Sequence, residues 1–206
     1  LGNSASAQLV GSPVIAIGSP LGMYGSEAYG LITSTTKNEQ LIDTNAHLIT
    51  TDIYGSKSAS GVIINYSGQV LGLITDSYSA DDTANIITTY AISDMKETIE
   101  KLANGQDKAY LGIYGTDVTS EAMTELNIPE GAYVTKTDIS SPAMNAGIQS
   151  GDVITKFGTT EIKDFDDYKE VISKSQPEDE TVITVKRYAK GEYTEMTFDV
   201  TLGKLK

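Results

Sequence analysis

Residues 51–65 contain the amino-acid types that nucleophilic catalysis by serine requires. Ser60 lies between two apolar segments and is followed directly by Gly61. A nucleophilic serine needs small neighbours, because the backbone must curl until its N–H groups point at a developing oxyanion. Ala59 precedes Ser60, however, and the β-branched Val62 stands where a second glycine would allow this curl. The segment is therefore a candidate nucleophile loop that departs from the ideal pattern.

The oxyanion hole of such a loop would consist of backbone N–H groups. With Ser60 as the nucleophile, the N–H groups of Ser58 and Ser60 would stabilise the oxyanion, although a non-glycine residue at position 58 strains the turn. An ordinary polar turn is the alternative, because Ser56, Ser58 and Ser60 fall within five residues. The one histidine, His47, lies in an apolar segment before Thr51, which favours a strand residue over a general base. The sequence thus offers a candidate nucleophile and no evident base.

Composition and charge limit the classes of partner. The chain has 206 residues, a net charge of −13 and no cysteine, which excludes disulfides, thiolate metal sites and a cysteine nucleophile. Nucleic acids and anionic membranes need clustered Lys and Arg, so we expect no nucleic-acid partner. The carboxylates at Asp81 and Asp82, and those in residues 164–167 and 178–180, fit solvated turns and helix starts. We therefore expect no cofactor and no metal.

The first residues indicate a piece of a longer protein. The chain opens with Leu1-Gly2 and not with methionine. It has no apolar run long enough to span a bilayer and no signal-peptide pattern. We therefore expect that a targeting segment or membrane anchor precedes Leu1 in the full-length protein.

The first half of the chain reads as a small antiparallel barrel or sandwich. Short apolar runs alternate with turn signals, one of them at residues 79–82, as in hairpin-rich β proteins. A helix capped by Ser93 then follows, because Met95, Ile99 and Leu102 recur at helical spacing, and Gly105 ends it. The predicted strands are residues 14–17, 29–33, 48–53, 62–65, 70–75 and 86–92.

The second half reads as an α+β unit with helices beside a sheet. The turn at residues 189–192 joins two long strands into a hairpin. The predicted strands are residues 111–118, 132–135, 153–157, 181–188 and 193–201. The predicted helices are residues 120–126, 142–146 and 165–173. The fold class is therefore mainly β with an α+β second domain, and we expect domains at 1–103 and 110–206 joined by a linker at 104–109.

Tyr110-Leu111-Gly112-Ile113 opens the second unit with an aromatic residue, an apolar residue, a glycine and a second apolar residue. This is the pattern of the carboxylate-binding loop of PDZ domains, which the unit resembles over residues 110–203. The segment Ser141-Pro142-Ala143-Met144-Asn145-Ala146-Gly147-Ile148-Gln149-Ser150-Gly151-Asp152-Val153-Ile154 matches the family's central signature. Residues 165–173 fit the groove helix. The resemblance implies that this unit binds the C-termini of peptides or unfolded proteins.

The physics of the loop agrees with that function. A tight turn at Gly112 would expose the N–H groups of Leu111, Gly112 and Ile113 as a nest for an anion. An extended peptide could then add as a strand beside the groove helix. On that helix Tyr168 and Ile172 are four residues apart and share a face, where they either line the groove or pack in the core.

The first unit contains four motifs in order: Leu1-Gly2-Asn3-Ser4, Val14-Ile15-Ala16-Ile17-Gly18-Ser19-Pro20-Leu21-Gly22, Thr51-Asp52 and Asn65-Tyr66-Ser67-Gly68-Gln69-Val70-Leu71-Gly72-Leu73. Through these motifs it resembles part of the protease domain of the high-temperature-requirement (HtrA/Deg) family. A linker helix and the PDZ-like unit follow in the family's order. The resemblance implies the C-terminal barrel of a chymotrypsin-type double barrel in an extracytoplasmic, trypsin-like serine protease. The family's triad histidine and aspartate would lie in a barrel that precedes Leu1.

The position of the nucleophile depends on which family motif is used as the anchor. Counted forward from Asp52, the family's spacing places Ser60 at the nucleophile; counted back from Asn65, it places Ala59 there. We expect the chain itself to be inactive, because serine without its histidine loses nearly all rate enhancement. The whole protein is then either an endopeptidase or a pseudoprotease whose barrel supports peptide recognition. An apolar barrel surface would pair with the preceding barrel or with another copy.

Overall fold

The computed structural model describes residues 1–2, 4, 7–75 and 85–205. It divides into two compact units. Unit 1 comprises Leu1–Glu39 and Ala46–Glu100, and unit 2 comprises Gln40–Asn45 and Lys101–Lys206. The turn predicted at residues 79–82, with Asp81 and Asp82, lies outside the described residues. The domain boundaries at 1–103 and 110–206 stay a prediction. The division into compact units shows in addition that residues 40–45 belong to unit 2.

Unit 1 is built around a closed antiparallel barrel, so the predicted β fold is confirmed. Its strands, in the described part of the chain, are β1 (Pro13–Gly18), β2 (Ser26–Leu41), β3 (Thr44–Tyr54), β4 (Gly61–Ile64), β5 (Val70–Thr75) and β6 (Ile86–Ala91). They close in the order β1-β2-β3-β6-β5-β4. Alternate side chains point inward because the strand period is two, and Val14, Ile32, Ile49 and Ile63 meet in the barrel core.

Strand β2 is much longer than the predicted run at residues 29–33. It continues through a polar, threonine-rich segment to Leu41, and β3 begins only three residues later at Thr44. Threonine favours strands because its branched Cβ suits the pleated backbone, although the segment carries no apolar alternation. The sharp turn that joins β2 to β3 places Asp43 at φ +55°, in the left-handed region.

Helix α1 (Ile92–Ala103) begins one residue before the predicted cap. The Ser93 hydroxyl lies 3.1 Å from that of the buried Ser4, and the backbone N–H of each residue donates to the hydroxyl of the other. Gly105 follows the helix at φ +67°, as predicted for its end. Within the described residues, the helices are too short or too polar to cross a membrane.

Unit 2 contains a β-sheet with helices packed on it. Its strands are β7 (Ala109–Tyr110), β8 (Ile113–Asp117), β9 (Ala132–Thr137), β10 (Val153–Phe157), β11 (Thr160–Glu161), β12 (Glu180–Ala189), β13 (Glu192–Thr201) and β14 (Gly203–Lys204). Its helices are α2 (Ser120–Glu125), α3 (Pro142–Ala146) and α4 (Phe165–Lys174). The main sheet has the order β13-β12-β10-β9-β8, so β8 is an edge strand. The predicted helices and strands of unit 2 are confirmed to within a few residues at each end.

The segment that follows α3 has a structural role. Gly147 ends the helix at φ +102°, and the chain then turns into β10. Asp152 is fully buried in this turn and accepts a hydrogen bond from the Gln149 N–H at 2.9 Å. Arg187 on β12 donates to both Asp152 carboxylate oxygens, at 2.6 and 2.7 Å. The ion pair therefore fastens the turn to the sheet.

Candidate functional site

The loop between β7 and β8 is shaped by Gly112. This residue lies at φ +87°, and a Cβ atom added to it would come within 2.3 Å of the Ser141 Cβ. Glycine is therefore required both by the left-handed backbone and by the close approach of Ser141. The loop is fixed on both sides, because Ala143 N–H donates to the Leu111 carbonyl and Asp138 N–H donates to the Gly112 carbonyl.

The three N–H groups predicted to form an anion nest converge on a carboxylate of the same chain. Leu111 N–H donates to Asp43 Oδ2 at 2.9 Å, and Ile113 N–H donates to Asp43 Oδ1 at 3.0 Å. Gly112 N–H is shared between the two oxygens, at 3.0 and 2.9 Å. Asp43 is only 3% exposed. The nest itself thus contributes only backbone donors to the carboxylate, as such turns do when they bind anions elsewhere.

A side chain from α4 completes the coordination of Asp43. The Tyr168 hydroxyl donates to Asp43 Oδ1 at 2.6 Å. Burial raises the pKa of the Asp43 carboxyl, and the hydrogen bonds from Tyr168 and the nest lower it by less. The charged form is therefore costly in this site even with four donors, because the carboxylate has lost its water.

The residues around Asp43 also lie along the edge strand β8. Asp43 N–H donates to the Ile113 carbonyl at 2.8 Å. The side-chain amide of Asn45, oriented with its nitrogen toward the strand, donates to the Gly115 carbonyl at 3.2 Å. Gln40 accepts a hydrogen bond from the Thr135 hydroxyl on β9 at 2.5 Å. Segment 40–45 therefore contacts both the nest and the strand beside it.

Tyr168 combines the two roles that its position in the sequence allowed. Its side chain is fully buried, and its ring stacks on Phe165 with centroids 5.2 Å apart. Its hydroxyl donates to Asp43, the carboxylate held by the nest, so the residue belongs both to the core and to the site. Ile172 is buried in the same core cluster. Tyr110 stands beside the nest and donates to Asp138 at 2.6 Å. The roles of these residues in binding a peptide stay predictions.

The candidate nucleophile loop lies between β3 and β4, against the segment after β1. Ser60 is exposed, its N–H donates to the Ser19 carbonyl at 3.4 Å, and its carbonyl accepts from Ser19 N–H at 2.8 Å. Ser58 N–H donates to the Ser56 hydroxyl at 3.2 Å. Both N–H groups assigned to the oxyanion hole therefore have partners within the chain. Ala59 packs partly against the barrel core.

Gly61 and His47 have clear structural surroundings. A Cβ atom at Gly61 would come within 2.0 Å of the Ile17 carbonyl oxygen, so the glycine allows β4 to approach β1. His47 Nδ1 lies 2.9 Å from Asp94 Oδ2, and the same oxygen accepts the His47 N–H at 2.6 Å. The histidine therefore pairs with the acidic first turn of α1. The catalytic role of Ser60 stays a prediction.

Asp43 is the residue of the site that sequence reasoning missed. The segment Ile42-Asp43-Thr44-Asn45 carries a local signal for a turn, because Asp and Asn tolerate the left-handed backbone. It carries no signal for its partner, which lies 68 to 70 residues further along the chain. A turn aspartate is normally solvated, so burial could not be inferred from the residue type.

Comparison with known proteins agrees with the geometry of both units. A family model described as a PDZ domain matches residues 109–202. The periplasmic serine endoprotease DegP of Salmonella typhimurium is 31% identical over 168 residues, which cover 78% of this chain and 35% of the relative. The serine protease Do-like HtrB of Bacillus subtilis is 28% identical over 220 residues, which cover 97% of this chain and 47% of the relative. The chain thus spans less than half the length of these two relatives.

A solved structure shares the fold of the whole chain. The HtrA-type protease AlgW with a decapeptide superposes with a TM-score of 0.58 at 22% identity, over 100% of this chain and 64% of that one. The chain therefore consists of a trypsin-like β-barrel followed by a PDZ domain. The matching PDZ model and the DegP and HtrB relatives support an HtrA-family chain that carries this barrel and PDZ domain.

Proposed function

We propose that this chain binds the C-termini of peptides or unfolded proteins at the nest formed by Leu111, Gly112 and Ile113. The observation that carries the proposal is the convergence of the three N–H groups on one carboxylate, at 2.9 to 3.0 Å. A C-terminal carboxylate has the same two oxygens and would satisfy the same donors. The nest therefore supplies the chemistry that recognises a chain end.

The edge strand supplies a second part of the site. Strand β8 ends the sheet path, so its outer carbonyl and N–H groups can pair with an extended peptide. The carbonyls of Ile113 and Gly115 already accept donors on that side. Related solved structures of HtrA-type protease AlgW carry a decapeptide or a tripeptide, which supports a peptide ligand for this chain.

The test compares peptides that differ only in the terminal group. Short random-sequence peptides with a free C-terminal carboxylate and the same pool amidated at the C-terminus are titrated onto the full chain. We expect the free-acid pool to bind about tenfold more tightly or better, because the amide offers the nest a donor and one fewer acceptor. Equal binding of the two pools would overturn the proposal.

For the barrel, we propose a non-catalytic scaffold. Two hydrogen bonds support this function: Ser60 N–H donates to the Ser19 carbonyl, and Ser58 N–H donates to the Ser56 hydroxyl. An oxyanion hole needs N–H donors that are free to point at the substrate. The pairing of His47 with Asp94 supports it further. An endopeptidase is the second candidate, which the exposed Ser60 and the relatives named as serine endoproteases favour.

A fluorophosphonate probe separates the two candidates. A scaffold leaves the probe unattached and casein intact, in this chain and in the longest form of the protein that can be expressed. Labelling that disappears in Ser60→Ala and persists in Ser58→Ala would establish Ser60 as a nucleophile and overturn the scaffold function. The Ser58 variant is the matched control, because it removes a hydroxyl from the same loop.

We propose an extracytoplasmic location. The supporting observation is that DegP relatives of Salmonella typhimurium and Escherichia coli are named as periplasmic. Fractionation of the source cells with antibody against the chain tests the location, and recovery with cytoplasmic markers alone would contradict it.

We also propose that the barrel associates with a further barrel or with a second copy of the chain. Large apolar side chains are exposed on neighbouring strands, including Tyr29 and Leu31 on β2, Tyr54 on β3 and Ile86 on β6. Such a surface is costly in water and marks an interaction site. Light scattering of the purified chain tests for self-association, with Tyr54→Ser as the variant. A chain that stays monomeric and does not bind an added barrel would contradict the proposal.

A further inference from the structure

We infer that Asp43 is an internal ligand of the nest, which peptide C-termini must displace before they bind. The inference rests on the proposed function, because it concerns regulation of the same carboxylate site. It follows from the fact that the nest holds a carboxylate of the chain itself, in contact with Leu111, Gly112 and Ile113.

The nest cannot hold Asp43 and a peptide carboxylate together. Each of the three N–H groups already donates to Asp43, and so does the Tyr168 hydroxyl. Residue Asp43 as a whole is 3% exposed, which leaves no open side for a second anion. Two carboxylates that shared these donors would also repel each other. Binding of a chain end is therefore competitive with Asp43.

The segment also occupies the place of a peptide strand. The backbone N–H of Asp43 pairs with the Ile113 carbonyl, as the last residue of an added strand would do. Asn45 reaches the Gly115 carbonyl two residues further along β8. Gln40 accepts a hydrogen bond from the Thr135 hydroxyl on the neighbouring strand β9. Displacement thus involves Gln40 and Asn45 as well as the Asp43 carboxylate.

The contact has features of a reversible one. Asp43 has a left-handed backbone with φ +55°, which is uncommon for residues other than glycine. Its carboxylate is held by hydrogen bonds, and burial works against its charge. A peptide that brings the same functional group can replace these bonds one for one. A contact made only by apolar side chains would have no hydrogen bonds to exchange with a peptide carboxylate.

The expected consequence is a lowered apparent affinity for peptides. A site that is open in only a fraction of molecules binds with its intrinsic affinity multiplied by that fraction. Weak peptides are therefore excluded, and only ligands that contact more of the groove bind.

The variant that tests the inference is Asp43→Asn in the full chain. Asparagine keeps the size of the side chain, but its NH₂ group faces the N–H donors of the nest, so segment 40–45 is released. The matched control is Asp199→Asn, which makes the same chemical change on the exposed side of β13. Two readouts are used: anisotropy of labelled free-acid and amidated random peptides, and hydrogen exchange at the amides of residues 111–113.

We expect D43N to bind free-acid peptides about tenfold more tightly than the unmodified chain, with faster exchange at the three amides and no gain for amidated peptides. D199N should match the unmodified chain. A double variant, Gln40→Ala with Asn45→Ala, loosens the segment and leaves the nest and Asp43 intact. It should shift both readouts in the same direction by a smaller factor, and it serves in place of D43N if that variant does not fold.

The failures of the two proposals differ. Equal, carboxylate-dependent binding by D43N and the unmodified chain would overturn the internal ligand and leave the proposed function standing. Unchanged amide exchange in both segment variants would also overturn it. If neither protein bound free-acid peptides although D43N exchanged faster, the proposed function would fall, and competition with peptides would fall with it.

Discussion

The hydroxyl of Tyr168 donates to Asp43 at 2.6 Å, and the two residues are 125 positions apart in the chain. Both side chains are buried, and the tyrosine ring is held between aromatic neighbours, Phe165 at 5.2 Å and Phe157 at 6.2 Å. The aromatic core of unit 2 thus fixes the position of a polar donor in the site. The core and the carboxylate site are therefore energetically connected.

Removal of this hydroxyl should destabilise unit 2. In Tyr168→Phe the ring packing is kept, but a buried carboxyl oxygen loses a short hydrogen bond, which costs about 1–2 kcal/mol of unfolding free energy. Urea unfolding followed by circular dichroism measures the loss. Tyr188→Phe is the control, because Tyr188 is exposed, and it should change the free energy by less than about 0.5 kcal/mol. Equal effects of the two variants would contradict the role given to the Tyr168 hydroxyl.

The same tyrosine should make the fold sensitive to alkaline pH. Burial, then the charge and hydrogen bond of Asp43, raise the pKa of Tyr168 well above its ordinary value of 10.0. The folded chain therefore keeps a proton that the unfolded chain loses, so this contribution is complete below pH 10 and falls as the pH rises beyond it. The slope from one such group is about 1.4 kcal/mol per pH unit.

Unfolding by urea at several alkaline pH values tests this dependence. Tyrosinate absorbance should show that Tyr168 ionises only when the chain unfolds. In Tyr168→Phe the free energy of unfolding should fall less steeply with pH, and the difference in slope should equal that of one titrating group. Tyr188→Phe should keep the slope of the unmodified chain. An unchanged slope in the Tyr168 variant would show that another group is responsible.

The parts of the fold that were predicted correctly are those whose causes are local. Helix α3 has its predicted bounds because Ser141 caps its start, Pro142 suits its first position and Gly147 ends it in the left-handed region. The turn before β13 was predicted at residues 189–192, where Lys190 and Gly191 both have positive φ, +53° and +94°. In each case the residues that determine the structure are neighbours in the sequence.

The occupant of the nest could not be predicted, because its causes are distant. The nest itself was inferred from Gly112 and its neighbours, whose backbone geometry is a local property. Asp43 joins it through contacts that span 68 to 70 residues, and it follows a polar stretch of β2 with no apolar alternation. A periodic pattern reports which face of a strand is buried, and it does not report which polar residue will meet a distant loop.

Gly112 should be the most sensitive glycine of the site. In Gly112→Ala the new Cβ would lie 2.3 Å from the Ser141 Cβ and 2.9 Å from the Tyr110 ring, at φ +87°. Steric overlap and backbone strain together should cost about 3 kcal/mol and displace the N–H groups of the nest. Free-acid peptide binding should be lost even when the Asp43→Asn change is also present.

A control variant separates strain from overlap. Gly151 has a similar φ of +92°, and a Cβ atom there would meet nothing within 4 Å. Gly151→Ala should therefore cost only the left-handed backbone penalty, about 1–2 kcal/mol, and leave peptide binding unchanged. If Gly112→Ala behaved like Gly151→Ala in both measurements, the close packing of the loop on Ser141 would not matter to the site.

Arg187 should be the most important charged side chain for the stability of unit 2. It donates to both oxygens of Asp152, which is fully buried, and to the Gly147 carbonyl at 2.8 Å. In Arg187→Ala the carboxylate is left buried without its counter-ion, so we expect a loss of about 3 kcal/mol. Arg187→Lys keeps the charge but not the two parallel hydrogen bonds, and it should lose about half as much.

Urea unfolding of a double-mutant cycle tests the origin of this loss. Adding Asp152→Asn to Arg187→Ala removes the stranded charge, so the double variant should be more stable than the sum of the two single losses indicates. Lys156→Ala, on an exposed position of β10, controls for the loss of a positive charge from the sheet and should change stability by less than about 0.5 kcal/mol. Strict additivity in the cycle would mean that Arg187 does not stabilise the unit through Asp152. Its packing on Phe198, with the Arg187 Cζ 5.4 Å from the ring centroid, would then account for the loss.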